Sequence, residues 1–148
     1  MNVNRKKSER GNAMLEFALS WSVMSLLFTG VFQYGYSFYS YNQLMSSVSG
    51  AAEIASKMQY DTGNPAAYTT AIQNLVLYGD ETPKTSPLVP GLTASNVSVT
   101  VNMSNSFPTD VTVKIVNYQI NSLFNTWTVN GKPRATVAYL GQVTCSTC

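Results

Sequence analysis

The sequence predicts an α+β protein in which one long N-terminal helix packs on a small antiparallel sheet, with one short extra helix. No proline precedes Pro65, and apolar residues recur at helical spacing up to that point, whereas residues 97–140 alternate apolar and polar residues in short runs. With 148 residues the chain has room for one ordinary domain and an appendage. We divide it into a leader (1–11), a long helix (12–60) and a C-terminal α+β domain (61–148).

Residues 13–32 form the predicted transmembrane segment. They carry a single charge, Glu16, and a helix of this length measures roughly 30 Å, the thickness of a bilayer core. Four bases precede the segment and no comparable cluster follows it: Arg5, Lys6, Lys7 and Arg10. The positive-inside rule then keeps the N-terminus cytoplasmic and exports the domain at 61–148. The alternatives are an uncleaved signal anchor and a secretory signal peptide, whose apolar region is only ~7–15 residues long.

Apolar residues continue beyond the span at spacings of three and four. The stripe comprises Leu27, Val31, Tyr34, Phe38, Tyr41, Met45, Val48 and Ala52. A helix from Asn12 to about Gln59 would be roughly 70 Å long and would project past the membrane, with its outer half free to pack on a domain or on other helices. Four tyrosines follow the span and predict a membrane-interface belt. They are Tyr34, Tyr36, Tyr39 and Tyr41, and their spacing also suits helix–helix packing.

Charge and residue types exclude several classes of function. Five bases and six acids remain after Gly11, so the formal charge of +2 belongs to the leader and we expect no nucleic-acid binding. The chain has no histidine, which removes the commonest catalytic bases and metal ligands. We therefore expect no metal, no cofactor and no enzymatic activity.

Cys145 and Cys148 are the only cysteines. A C-x-x-C pair can be a redox site where it opens a helix, but here the sequence ends at the second cysteine. Two thiolates cannot complete a tetrahedral metal site without further ligands. In an exported domain the pair predicts a disulfide that closes a small loop.

The segment Gly11-Asn12-Ala13-Met14-Leu15-Glu16-Phe17 joins the basic leader to the apolar helix. A glycine followed by four residues, a glutamate and an aromatic resembles the processing site of type IV prepilins. The wider segment Arg10–Ala55 resembles the TadE-like family of minor pseudopilins from tight-adherence (Flp) pili. Its shared features are Arg-Gly-x-Ala-x-x-Glu-Phe-Ala-Leu, Gly30, Phe32-Gln33-Tyr34-Gly35 and Ala51-Ala52.

This resemblance implies a pilin-like fold and a structural role. It implies that a prepilin peptidase cuts after Gly11, that Asn12 becomes the new N-terminus, and that the new amine pairs with Glu16 of the same or a neighbouring chain. The implied location is the bacterial inner membrane or a pilus, and the implied partners are other pilin or pseudopilin subunits and the assembly machinery. From the residues alone, Glu16 could instead be a carboxylate near a helix N-terminus that is wetted by headgroups. An anchored binding module that never polymerises is the alternative function.

Within residues 61–148, Asn64 as N-cap, Pro65 at the first position and Gly79 at the end predict a helix over 66–78. A proline-containing loop follows at 79–91. Alternation predicts strands over 97–103 and 111–118, joined by a turn at 104–109. We also predict a hairpin that pairs residues 127–129 with 134–140 around Asn130-Gly131.

Overall fold

The computed structural model describes residues 5–105, 107–122, 125–141 and 143–144, and it shows the predicted α+β class. Two helices, α1 (Arg5–Lys57) and α2 (Pro65–Tyr78), are followed by a single 3-10 turn at Ala94–Asn96. The strands are β1 (Tyr60–Asp61), β2 (Val97–Ser104), β3 (Phe107–Ile115), β4 (Tyr118–Asn121), β5 (Thr126–Val129), β6 (Arg134–Ala138) and β7 (Val143–Thr144). The chain divides into two compact units, Met1–Tyr36 and Ser37–Cys148.

Helix α1 begins at Arg5, inside the predicted leader, and ends at Lys57. Residues 5–10 contain arginine, lysine and glutamate, which are good helix formers, and neither glycine nor proline. Nothing in that stretch therefore separates the leader from the helix that follows. Within the second unit α1 buries one face, made of Ser40, Leu44, Val48, Ala51, Ala52 and Ala55.

Only some residues of the predicted apolar stripe lie on this buried face. Its last members, Val48 and Ala52, are fully buried, and Tyr41 is partly buried against the core. Phe38 and Met45 are instead 70% and 51% exposed. A repeat of seven residues drifts by about 20° per heptad on a straight helix, so the stripe winds off the buried face toward its N-terminal end.

Helix α2 has the ends that the sequence predicts. The Asn64 side chain accepts a hydrogen bond from the Ala67 amide at 3.3 Å, Pro65 opens the helix, and Gly79 closes it in the left-handed conformation at φ 69°. Tyr68, Ile72, Leu75, Val76 and Leu77 are its buried residues.

The main sheet has the order β2-β3-β6 and is antiparallel throughout. Its inner face contributes Val97, Val111, Val113 and Ile115 to the core. Its outer face is polar, with Ser98, Lys114 and Arg134 in one row and Thr100, Thr112 and Thr136 in the next. The hydroxyls of Thr112 and Thr136 are hydrogen-bonded at 2.9 Å. Two further pairs complete the fold, β4 with β5 (antiparallel) and β1 with β7 (parallel).

The predicted hairpin between residues 127–129 and 134–140 is wrong. β5 pairs with β4, and β6 pairs with β3. The Gly131 amide donates to the Ile115 carbonyl at 2.8 Å, and the Ile115 amide donates to the Pro133 carbonyl at 3.1 Å. These two bonds hold the segment between β5 and β6 against the end of β3. Asn130-Gly131 therefore connects two strands that do not pair with each other.

Two other boundaries differ from the prediction. The strand expected over 111–118 ends at Ile115, because Asn117 adopts a left-handed conformation at φ 52°, and β4 starts afresh at Tyr118. The turn expected at 104–109 is shorter, since β3 already begins at Phe107 and pairs it with Ser104. Asparagine tolerates the left-handed region through local side-chain hydrogen bonding, which the alternation of apolar residues does not reveal.

Candidate processing and assembly segment

Gly11 and Asn12 lie inside the continuous helix α1. A Cβ atom added at Gly11 would meet nothing within 4 Å, and the backbone there is not in the left-handed region. Neither space nor conformation therefore requires glycine at this position. A glycine inside a helix costs about 1 kcal/mol relative to alanine, so Gly11 weakens the helix locally without a compensating contact.

Glu16 is exposed and forms no ion pair within the described part of the chain. It lies four residues after Asn12, which places both residues on one helix face about 6 Å apart along the axis. Side chains on a helix lean toward its N-terminus. The Glu16 carboxylate is therefore directed toward the turn that contains Asn12.

Helix α1 is the one candidate membrane span among the described residues, by length and composition. The apolar stretch lies within Gly11–Lys57, has a mean hydropathy of 1.5 and is not buried by the rest of the chain. Met14, Leu26 and Val31 each expose about three quarters of their surface. Monomeric soluble proteins rarely leave an apolar surface of this size in water.

Two hydroxyl residues inside this apolar stretch are already satisfied by the helix. Ser22 Oγ donates to the Ala18 carbonyl at 2.8 Å, and Thr29 Oγ1 donates to the Ser25 carbonyl at 2.7 Å. A polar group in hydrocarbon has no water to bond, so internal satisfaction of this kind lowers its cost. Sequence reasoning overlooked these bonds, although the i−4 spacing is visible in the sequence.

The four tyrosines of the predicted interface belt do not share one environment. Tyr34, Tyr36 and Tyr39 are 69%, 40% and 61% exposed, whereas Tyr41 packs partly against the core of the second unit. The first three remain candidates for a membrane interface. Tyr41 instead packs against the core of the second unit.

The predicted residues thus fall into three groups. Gly11, Asn12 and Glu16 share neighbouring turns of α1, and the tyrosines lie further along the same helix. Cys145 and Cys148 lie outside the described residues, so their pairing stays a prediction.

The C-terminal end of α1 carries contacts that sequence reasoning missed. Tyr68 Oη donates to the Ala55 carbonyl at 2.6 Å, the Leu140 amide donates to the Ser56 carbonyl at 2.8 Å, and Tyr139 Oη donates to the Met58 carbonyl at 2.7 Å. The last carbonyls of a helix lack intrahelical partners, and the first two donors bond to two of them, whereas the Met58 carbonyl lies just after the end of α1. We call this arrangement the helix-end joint.

The surroundings of the helix-end joint are closely packed. The Tyr60 and Tyr68 rings meet edge to face with centroids 5.1 Å apart. Any side chain at Gly141 would collide with the Met58 carbonyl and the Tyr139 ring. Burial raises the pKa of the Tyr68 phenol, and the nearby Tyr139 and Tyr60 add to the effect. Burial likewise raises the pKa of Tyr139.

Comparison with known families identifies the N-terminal segment. Residues 11–53 match the family model described as TadE-like protein, which confirms the resemblance found in the sequence. The match begins at Gly11 and includes Asn12 and Glu16. The match is confined to this N-terminal part of the chain. No curated protein and no solved structure matches the chain.

Proposed function

We propose that this chain, which carries a TadE-like N-terminal segment, is a pilin-like structural subunit that is cut between Gly11 and Asn12 and then assembled in, or at the base of, a Tad pilus. One observation carries the proposal. The exposed apolar part of α1 has a glycine without a packing contact and, five residues after it, the one charged residue of the span 13–32, and both lie within the TadE-like match over residues 11–53. The chain is a substrate of a prepilin peptidase and is not itself an enzyme.

Cleavage after Gly11 requires a change in backbone shape. The Gly11–Asn12 bond is helical in the uncut chain, whereas a peptidase groove takes its substrate in an extended form. Glycine lowers the cost of that local unwinding because it is the weakest helix former after proline. A Cβ atom at Gly11 would meet no atom within 4 Å beyond the adjoining backbone of the helix itself, so no packing contact within the chain requires glycine there.

Removal of the leader would also give Glu16 a partner. The cut leaves a charged α-amine at Asn12 and frees the first amides of the shortened helix. A carboxylate one turn downstream can reach that amine, in its own chain or in a neighbour, and it favours the positive end of the helix dipole. A carboxylate in the apolar part of a membrane costs about 2.5–3.5 kcal/mol, so an unpaired Glu16 is disfavoured there.

The leader fixes the proposed orientation. Its four bases hold residues 1–10 on the cytoplasmic side of the bacterial inner membrane, and the domain at 61–148 is exported. After cleavage the apolar part of α1 would leave the lipid and pack against the helices of other subunits.

Intact-mass measurement of the protein from membranes of a strain with an active prepilin peptidase tests the proposal. We expect the wild-type chain to begin at Asn12 and the Gly11→Leu variant to keep residues 1–11. Gly30→Leu is the matched control, because Gly30 is also helical and a Cβ atom added there would also meet nothing within 4 Å. It should be cut like the wild type.

Two results would contradict the proposal. A wild-type chain that keeps residues 1–11 would favour an anchored binding module that does not polymerise. A Gly11→Leu chain that still begins at Asn12 would remove the role assigned to this glycine. Glu16→Gln separates the later step, since we expect it to be cut normally but to be lost from the assembled fraction.

A further inference from the structure

Strand β2 forms one edge of the main sheet. Within the part of the chain that the structure describes, it pairs with β3 on one side, and the sheet order β2-β3-β6 has no strand on its other side. Helix α2 meets this edge at its start, where Gln73 Nε2 donates to the Val97 carbonyl at 3.2 Å. Among the described residues, no backbone group of residues 98–104 bonds to backbone outside the ladder with β3.

The hydrogen bonds on the β6 side of β3 show which backbone groups of β2 point to the open edge. The amide and the carbonyl of Ile115 both bond toward the β6 side, to Pro133 and Gly131. Backbone groups alternate in direction along a strand, so those of Lys114 point to β2 and meet Ser98, its partner in register. Val99 and Val101, the next alternate residues, therefore present their amides and carbonyls to the open edge.

The side chains at this edge are only partly covered. Val99 and Val101 point to the inner face and pack partly against the core. Ser98, Thr100 and Asn102 point to the polar outer face. An additional strand on this edge would satisfy the open backbone groups and would cover the exposed part of the two valines.

The opposite edge is protected in ways that β2 is not. β6 has five residues, begins with Arg134, and follows Pro133, which has no amide to donate. Charges and prolines of this kind are the usual means of preventing edge-to-edge pairing. β2 has eight residues, none of them charged and none of them proline.

We propose that β2 pairs antiparallel with β2 of a second copy of this chain, with Thr100 at the twofold axis. Val99 then lies opposite Val101 of the second copy, and Ser98 lies opposite Asn102 of the second copy. The two valine pairs would exchange about four backbone hydrogen bonds, because both members present their open groups. This register places apolar residues on apolar residues and brings no like charges together, which suits a second copy better than an unrelated strand.

Disulfide trapping of the full chain in membranes tests this pairing. In a background with Cys145→Ser and Cys148→Ser, Thr100→Cys would bring two cysteines to a non-hydrogen-bonded pair with Cα atoms about 4.5 Å apart, which a disulfide can span. Thr136→Cys on β6 is the matched control, because Thr136 is also an exposed threonine that flanks Thr112 on the outer face. We expect Thr100→Cys to give at least about five times as much covalent dimer as Thr136→Cys.

Charge substitutions test the same register without a cross-link. Thr100→Lys places like charges opposite each other and should lower association about fivefold, whereas Thr136→Lys should not change it. Thr100→Lys and Thr100→Glu chains expressed together should associate again. Processing at Gly11 is measured separately by mass, so this proposal can fail while the proposed function stands.

Three results would overturn the pairing. Equal trapping of Thr100→Cys and Thr136→Cys would show random collision. Absence of a dimer from Thr100→Cys would show that the edge is not a contact between copies. A Thr100→Cys cross-link to a protein of different mass would assign the edge to another partner.

Discussion

Replacing Tyr68 with phenylalanine removes one hydroxyl from the helix-end joint and leaves the ring in place. The Tyr68 side chain is buried, with 4% of its surface exposed, and its hydroxyl donates to the Ala55 carbonyl at 2.6 Å. The edge-to-face contact with Tyr60 does not involve the hydroxyl. The substitution therefore tests the hydrogen bond with little change in packing.

The expected loss of stability depends on the hydrogen bond that the Ala55 carbonyl keeps in the variant. Leaving a buried carbonyl without a partner costs about 1–3 kcal/mol. The Ala55 carbonyl retains a long contact from the Met58 amide at 3.3 Å, which offsets part of that cost. We expect Tyr68→Phe to lower the free energy of unfolding by about 1–2 kcal/mol.

Urea unfolding of the full chain in a mild detergent, followed by near-ultraviolet circular dichroism, measures this loss near pH 7. Tyr39→Phe is the control, because Tyr39 is 61% exposed, and surface substitutions usually change stability by less than about 0.5 kcal/mol. A Tyr68→Phe midpoint equal to that of Tyr39→Phe would refute the reasoning.

We also expect Tyr68→Phe to change how the stability of the chain depends on pH. The pKa of Tyr68 is raised in the folded chain, so the unfolded chain loses this proton first, at about pH 10. The contribution to stability is complete below that pH and declines as the pH rises above it. Wild-type stability should fall between pH 10 and 11 more steeply than that of Tyr68→Phe, and identical slopes would contradict the burial of this phenol.

Two further substitutions test the second unit. Asn64→Ala removes the cap of α2 and should cost about 0.5–1 kcal/mol in urea unfolding, because the bond to the Ala67 amide is long at 3.3 Å; an unchanged midpoint would contradict a capping role. Arg134 and Lys114 lie directly opposite each other in register and form a like-charge pair. Arg134→Glu turns it into an opposite-charge pair and should raise stability by about 0.5 kcal/mol in low salt. Lys132→Glu, outside the strands, is its control, and an equal gain there would attribute the effect to net charge.

The local features of the fold could be predicted from the sequence. Asn64, Pro65 and Gly79 predict the ends of α2 because each acts on backbone groups close to it in sequence. The alternation over 97–103 predicts β2 because a half-buried strand has a period of two residues. The segment from Gly11 to Glu16 was predicted from its resemblance to prepilin processing sites, and its processing stays a prediction.

Strand partners and the helix-end joint could not be predicted in this way. Asn130-Gly131 has the residues of a tight hairpin, but bonds from Gly131 and Pro133 to Ile115 carry the chain elsewhere. Tyr139 meets Met58 across a separation of 81 residues. Contacts of this kind depend on how the whole core assembles, and no local pattern records them.

The helix-end joint also has a mechanical consequence. The carbonyls of a helix point along its axis toward its C-terminal end, so a pull on α1 toward its N-terminus loads the bonds at Ala55 and Ser56. Those bonds then share the tension with the covalent chain that leads into β1. A subunit drawn out of a membrane by its helix would therefore pass part of the load into its folded domain through these hydrogen bonds.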